Sequence, residues 1–296
     1  MKATLLPDRG VAKVAGDDAG KFLNGLITVD TATVTPGHAR YAALLTPQGK
    51  IIADFIVAAA APGDGGGFFL DVPRALAPPL VQRLNFYRLR AKVIVEDLSE
   101  VLGVLAAWGG NAQTPVGLSY PDPRLPELGL RCMLPPHLAD KAITDLGARK
   151  VEAAVYDAHR IALGVPRGEA DFGYGDAFPH EADMDQLHGV DFDKGCFVGQ
   201  EVVSRMAHRG TARTRVVPVS YHGTVPAPGA PITAGEKSVG TLGSAANGQG
   251  IAMIRLDRAA EALAAAVPLL AGGVELRLVK PSWARFAFPG ETRAAE

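Results

Sequence analysis

DKGCFVGQEVVSRMAHRG, Asp193 to Gly210, sets one of the chain's two cysteines just ahead of a short amphipathic run. Gly195 and Gly199 bracket Cys196 and can adopt backbone angles closed to other residues. Glu201, Val202, Val203 and Met206 then open a helical stripe that Gly210 can end. The thiol is expected near the positive end of that helix and beside Lys194, and both favour thiolate over thiol. Cys196 is therefore a candidate reactive or metal-binding cysteine. The alternative is a buried, inert thiol, the commoner state of a free cysteine.

Within this stretch K-G-C-F-V-G-Q-E, Lys194 to Glu201, resembles the signature of the YgfZ family, folate-binding proteins tied to iron–sulfur cluster assembly and repair. The resemblance extends through GDDAGKFLNGLITVD (Gly16 to Asp30), YAALLTPQGKIIADF (Tyr41 to Phe55), HRIALGVPRGEAD (His159 to Asp171) and PHEADMDQLHGVDFDKGC (Pro179 to Cys196). More loosely, the same blocks resemble the aminomethyltransferase of the glycine cleavage system. The resemblance implies an α+β, GcvT/YgfZ-like folate-binding fold with antiparallel sheets and helices, a small C-terminal β-barrel and a central tetrahydrofolate pocket. It marks Lys194, Gly195, Cys196, Gly199, Gln200 and Glu201 as signature residues. The aminomethyltransferases carry adjacent carboxylates at a hairpin where this chain reads Ala53-Asp54, and they lack the KGC-x-x-GQE signature. The function implied is thus support of cluster assembly, insertion or repair in client enzymes; a folate-dependent aminomethyl or methyl transferase using Asp54 is the alternative.

At 296 residues the chain fits two or three compact units, and 48% hydrophobic with 21% charged residues is the composition of a globular protein. A net charge of -1 makes no global case for nucleic acid or membrane affinity. Cys132 and Cys196 are too few for a disulfide scaffold and agree with a reducing cytoplasm, the expected location. Two thiols also cannot supply four ligands, so any zinc or iron–sulfur site must borrow ligands from histidines, a second subunit or another protein. MKATLLPDRG lacks the apolar core of a signal peptide, and no segment approaches a membrane span.

Asp17 can cap a helix whose Ala19, Phe22, Leu23 and Leu26 form one buried stripe. Tyr41 to Thr46 and Ile51 to Val57 flank Thr46-Pro47-Gln48-Gly49, a hairpin signal. Further strands are expected at 68–72, 91–96, 101–108 and 128–134, with helices at 75–86, 136–146 and 151–163. From Thr211 the texture turns to short strands broken by glycine and proline, with a helix at 258–266, which reads as a barrel. The expected domains are 1–210, an α+β folate-binding region of two subdomains, then 211–290, the C-terminal β-barrel, with 291–296 a tail.

Alternation puts Asp54 on the face of Ile52 and Ile56, costly for a carboxylate without a partner or ligand unless the position is an edge open to water. Folate presents a pterin rich in donors, an aromatic linker and an anionic tail, so its site needs a carboxylate, apolar walls and a cation. Glu169 in GEAD and Glu181 in PHEAD are the candidate carboxylates, and the resemblance turns both loops toward the pocket. Arg205 and Arg209, with Arg213 and Arg215, form a basic run that can meet a folate tail or lie as a solvated helix face, with Glu201 pairing to Arg205. His188 and His208 lack the spacing of a metal site, so no metal is expected. Cys132 reads as structural. The expected partners are folate, as tetrahydrofolate or a derivative, and iron–sulfur assembly or client proteins.

Overall fold

The computed structural model describes residues 1–209 and 212–290, Arg209 by its backbone alone. They divide into two units: Met1–Tyr156 with Leu187–Glu201, and Asp157–Gln186 with Val202 onward.

The first unit contains β1 (Lys2–Leu6), β2 (Arg9–Ala15), α1 (Ala19–Asn24), β3 (Arg40–Leu45), β4 (Ile51–Ala59), β5 (Phe68–Pro73), α2 (Ala77–Tyr87), β6 (Ile94–Asp97), β7 (Gly103–Trp108), β8 (Leu118–Pro121), β9 (Leu130–Leu134), α3 (Ala139–Asp145) and β10 (Arg149–Lys150). The strands form two five-stranded sheets, β3-β4-β5-β2-β6 and β10-β1-β7-β9-β8. All pairs are antiparallel except β1 with β10. The expected hairpin forms with Tyr41 opposite Ile56 and Ala43 opposite Asp54. Gly49 closes its turn at φ +80°, and its N–H donates to the Thr46 carbonyl at 2.8 Å. The expected Asp17 cap is replaced by Asp18 at the helix boundary; its carboxylate accepts instead from the Lys92 N–H at 2.7 Å.

Alternation gives the first sheet two dissimilar faces. Ala42, Leu44, Ala53, Phe55, Val57, Leu70 and Val72 share one core with Leu23 of α1 and Leu80 and Leu84 of α2. The opposite face carries Tyr41, Asp54 and Asp71, the last fully buried. Asp71 Oδ1 accepts from Arg9 Nε at 2.6 Å, and Oδ2 from Arg131 Nε at 2.6 Å and the Tyr120 hydroxyl at 3.2 Å. Arg131 and Tyr120 lie on β9 and β8, so these bonds join the two sheets of the unit. Arg131 also donates to Asp122, which a two-toothed contact from Arg124 completes at 2.9 and 2.7 Å. Burial alone would raise the Asp71 carboxyl, but Arg131 and Arg9 outweigh it and hold it at about 2.

Helices α4 (Ala153–Ala162) and α5 (Gln200–Arg209) are followed by β11 (Thr214–Tyr221), β12 (Pro231–Ala234), β13 (Lys237–Ala246), β14 (Gln249–Arg255), α6 (Leu256–Ala264), β15 (Leu269–Ala271) and β16 (Val274–Leu278). The six strands close as β11-β14-β13-β12-β15-β16 around Val217, Val219, Ile232, Leu242, Ile254 and Leu276. Closure leaves no unpaired sheet edge, and it follows from antiparallel pairing of β16 back onto β11. The fold is thus the α+β, antiparallel arrangement with a C-terminal barrel that the sequence implies.

Replacing Arg131 with alanine leaves Asp71 and Asp122 buried without their shared cation. With Trp283→Phe as background, Trp108 fluorescence in urea should report a loss of about 3–5 kcal/mol from the first unit. Because Asp71 is held below its unfolded value near 3.9, the stability it supplies is fully present above about pH 4 and is lost as pH falls toward about 2.

Candidate functional site

The signature loop is built onto the first unit by backbone groups that lie far away in sequence. Thr28 Oγ1 donates to the Gly189 carbonyl at 2.6 Å, and the Asp191 N–H donates to the Thr28 carbonyl at 2.9 Å. Next along the chain, Lys194 turns inward. Its Nζ donates to the carbonyls of Asn24, Ile27 and Val29 at 2.7, 2.7 and 3.0 Å, which saturates an ammonium's three hydrogens. The same ammonium lies 5.0 Å from the centre of the Phe197 ring. Burial lowers the Lys194 pKa to about 8, with Asp30 and Asp191 opposing the shift.

Cys196 follows on the outside. It is exposed, whereas Cys132 is fully buried in β9, its thiol directed to the Val116 carbonyl at 3.0 Å and pushed upward in pKa by burial. Helix α5 starts at Gln200, four residues beyond the cysteine, so the thiol stands on the loop that leads into the helix. The expectation of Lys194 as a cation turned to the thiol gives way to a different role: its ammonium fixes the loop from beneath.

The two signature glycines differ. Gly199 has φ +83°, and a side chain there would meet the Thr46 carbonyl oxygen at 2.6 Å and Gly49 Cα at 3.1 Å, so the loop closes directly on the hairpin turn. A side chain at Gly195 would meet nothing within 4 Å. Gln200 and Glu201 open α5; Glu201 and Arg205 both lie exposed on it.

Asp54, on β4, is 6% exposed and accepts from the Tyr41 hydroxyl at 2.8 Å. The edge position open to water is therefore excluded. Arg124 lies over the Tyr41 ring at 5.6 Å, which places Asp54 at the margin of the buried Asp71–Arg131–Asp122 network. Burial, then the Asp54 charge, push the Tyr41 hydroxyl well above its ordinary pKa, so it stays a donor.

Glu169, Glu181 and Arg205 belong to the second unit, Asp54, Lys194 and Cys196 to the first. Glu169 and Glu181 come together: both line one open cleft of about 890 Å³, with Phe172, Thr241, Ser244 and Met253 among its walls. Glu169 is exposed, takes a left-handed φ of +63° and accepts from the Tyr174 N–H at 3.2 Å. Glu181 accepts from the Phe178 N–H at 2.9 Å, closing its own turn. The loop bearing Glu169 is pinned by Asp171, which accepts from Arg160 at 2.8 Å and from the Ser244 N–H of β13 at 2.7 Å. The Arg209 side chain lies outside the described residues. His188 and His208 are exposed, and among the described residues no group of three or more histidine, cysteine or acidic side chains could hold a metal ion.

The class that the fold defines is GcvT-like, helices and antiparallel sheets followed by a six-stranded C-terminal β-barrel. Residues 9–117 match the GCVT N-terminal domain and residues 213–286 the CAF17 C-terminal beta-barrel domain. Glycine cleavage system aminomethyltransferase T from Bartonella henselae shares the fold at a TM-score of 0.73 and 18% identity, over 97% of this chain and 87% of that one. The iron-sulfur cluster assembly factor IBA57, mitochondrial, of Homo sapiens is 31% identical over 89% of this chain and 83% of its own length. A homolog from Mycosarcoma maydis is 38% identical over 76% of this chain and 59% of its own, so this chain spans less than two thirds of that relative. The chain belongs to the family of iron–sulfur cluster assembly factors named IBA57. The names of these relatives read mitochondrial, which overturns the cytoplasmic expectation. Two thiols agree with any reducing compartment, so cysteine usage does not separate the two.

Gly199→Ala should lower stability by about 2–3 kcal/mol, since it combines a left-handed backbone with a contact against a carbonyl. Gly195→Ala should stay within about 0.5 kcal/mol of the parent. Thermal unfolding of the two variants checks both; equal effects would separate Gly199 from the hairpin contact.

Proposed function

We propose that this chain supports the assembly, insertion or repair of iron–sulfur clusters in client enzymes, as a tetrahydrofolate-binding protein of the YgfZ type, with Cys196 as its working thiol. The observation that carries the reading is the exposure of Cys196 on a loop held from below by Lys194 and closed on the hairpin by Gly199. Family membership supports it. A thiolate is a soft ligand for iron, and with Cys132 buried a cluster held at Cys196 completes its coordination with ligands of a partner, the state needed for a cluster in transit.

For folate, the residues present fit the chemistry the ligand demands. Glu169 and Glu181 line a cleft of about 890 Å³, within the range that takes a ligand of this size, and Phe172 offers an aromatic wall. A carboxylate there accepts the pterin amide and amino donors in parallel; Arg205, exposed on α5, answers the anionic tail. Asp54, hydrogen-bonded to Tyr41 within the first unit, is a second carboxylate of the kind folate chemistry needs. Bound tetrahydrofolate supplies a carrier for one-carbon units.

Anaerobic calorimetry with tetrahydrofolate should give a micromolar constant, about 8 kcal/mol of binding, weakened about tenfold by Glu181→Ala. In cells whose only copy is Cys196→Ser, iron–sulfur enzyme activity should fall while the abundance of the protein holds. Normal enzyme activity would remove the thiol from the function, and unchanged folate affinity would remove Glu181 from the site. Release of a one-carbon unit from a lipoyl-carrier donor by the purified protein would instead identify a transferase.

A further inference from the structure

Helix α2 and the turn after it present a surface unlike the rest of the first unit. Between Asp71 and Glu96 the chain holds five cations, Arg74, Arg83, Arg88, Arg90 and Lys92, and no carboxylate. Phe86 is 79% exposed and Leu89 90%, with Ile94 of β6 exposed beside them in sequence. Leu89 holds a left-handed φ of +44°, which costs a residue with a side chain of order 1–3 kcal/mol, and that conformation coincides with full exposure of the apolar group. Arg83, Arg88 and Arg90 are exposed and form no ion pair among the described residues.

Next to Phe86 the surface is concave. A groove of about 420 Å³ runs along α2, floored by Ile52 and Ala53 of β4 and walled by Leu76, Pro79, Leu80 and Tyr87, with Arg83 and Phe86 at its rim. Its dimensions suit one or two apolar side chains. Aromatic and arginine residues are the types that carry most binding energy in protein interfaces, and here they stand side by side.

We propose that this surface docks an acidic segment of a protein partner, which inserts an apolar anchor into the groove between α2 and β4 while its carboxylates meet Arg83, Arg88 and Arg90. Charge complementarity selects the occupant: Arg83 at the rim of an apolar slot, with Arg88 and Arg90 exposed on the segment that follows and without a carboxylate partner among the described residues, repels basic partners and favours acidic ones. A bilayer is also anionic, but its flat headgroup surface offers no protruding apolar side chain to the groove. The inference stands apart from the folate and thiol reading, since none of these residues belongs to that site.

The probe is a fluorescein-labelled synthetic helical peptide with a leucine and phenylalanine stripe flanked by glutamates, titrated with the full chain and followed by anisotropy. Binding is expected, weakening with added salt, and falling about tenfold or more in Phe86→Ala and in Arg83→Glu/Arg88→Glu. At 79% exposure the Phe86 change leaves the core untouched, which circular dichroism verifies. The proposal is overturned by no binding, by equal binding of a peptide with lysines for glutamates, or by unchanged affinity in both variants. It is equally overturned if phosphatidylserine vesicles bind the chain through Phe86 and the peptide does not, or if sedimentation shows a dimer that Phe86→Asp abolishes.

Discussion

A single buried ammonium holds the signature loop in place. Lys194 donates to three carbonyls, that of Asn24, which the terminus of α1 leaves without a helical partner, and those of Ile27 and Val29 in the segment beyond it. Removing a charge from water costs several kcal/mol unless its hydrogens are all matched, and here all three are. The loop has therefore one low-energy seat. With Lys194 directed inward and Phe197 packed beside it, Cys196 between them faces out, and Gly199 lets the chain pass against the hairpin turn without a clash.

The second unit follows a comparable logic with different groups. Arg160, nearly buried, ties Asp171 to the strand carrying Ser244, and this fixes the loop on which Glu169 stands. Arg215 does the same for the PHEAD segment, donating to Asp183 at 2.9 Å and to both carboxylate oxygens of Asp185. In both cases a buried guanidinium sets a loop so that a neighbouring glutamate reaches the cleft. Such pairs bring geometry more than net stability, because desolvation offsets much of their attraction.

Much of this architecture was legible in the chain. The Thr46–Gly49 turn, the stripe of α1 and the glycine-punctuated strands of the barrel depend on neighbours in sequence, and local chemistry finds them. Residues 2–15 escaped: β1 and β2 lie in different sheets and gain their identity from pairing with β7 and β5. Buried charge escaped too. Asp71 and Arg131 are 60 residues apart, and the strand of Cys132 read as ordinary because nothing local marks its arginine as internal. Lys194 stands out in the signature, but its contacts are not local. Its acceptors lie 165 to 170 residues earlier, and backbone carbonyls carry no side-chain signal; only the block Gly16 to Asp30, already prominent in the family resemblance, pointed there.

On the proposed function, the buried ammonium of Lys194 has a positioning role toward Cys196. It is tested most directly by the rate at which the purified protein restores activity to an apo iron–sulfur enzyme under anaerobic conditions, comparing the parent chain, Cys196→Ser and Lys194→Met. The account predicts that Lys194→Met, though folded by Trp108 fluorescence, loses activation to nearly the extent that Cys196→Ser does. Full activation by Lys194→Met beside an inactive Cys196→Ser would contradict it.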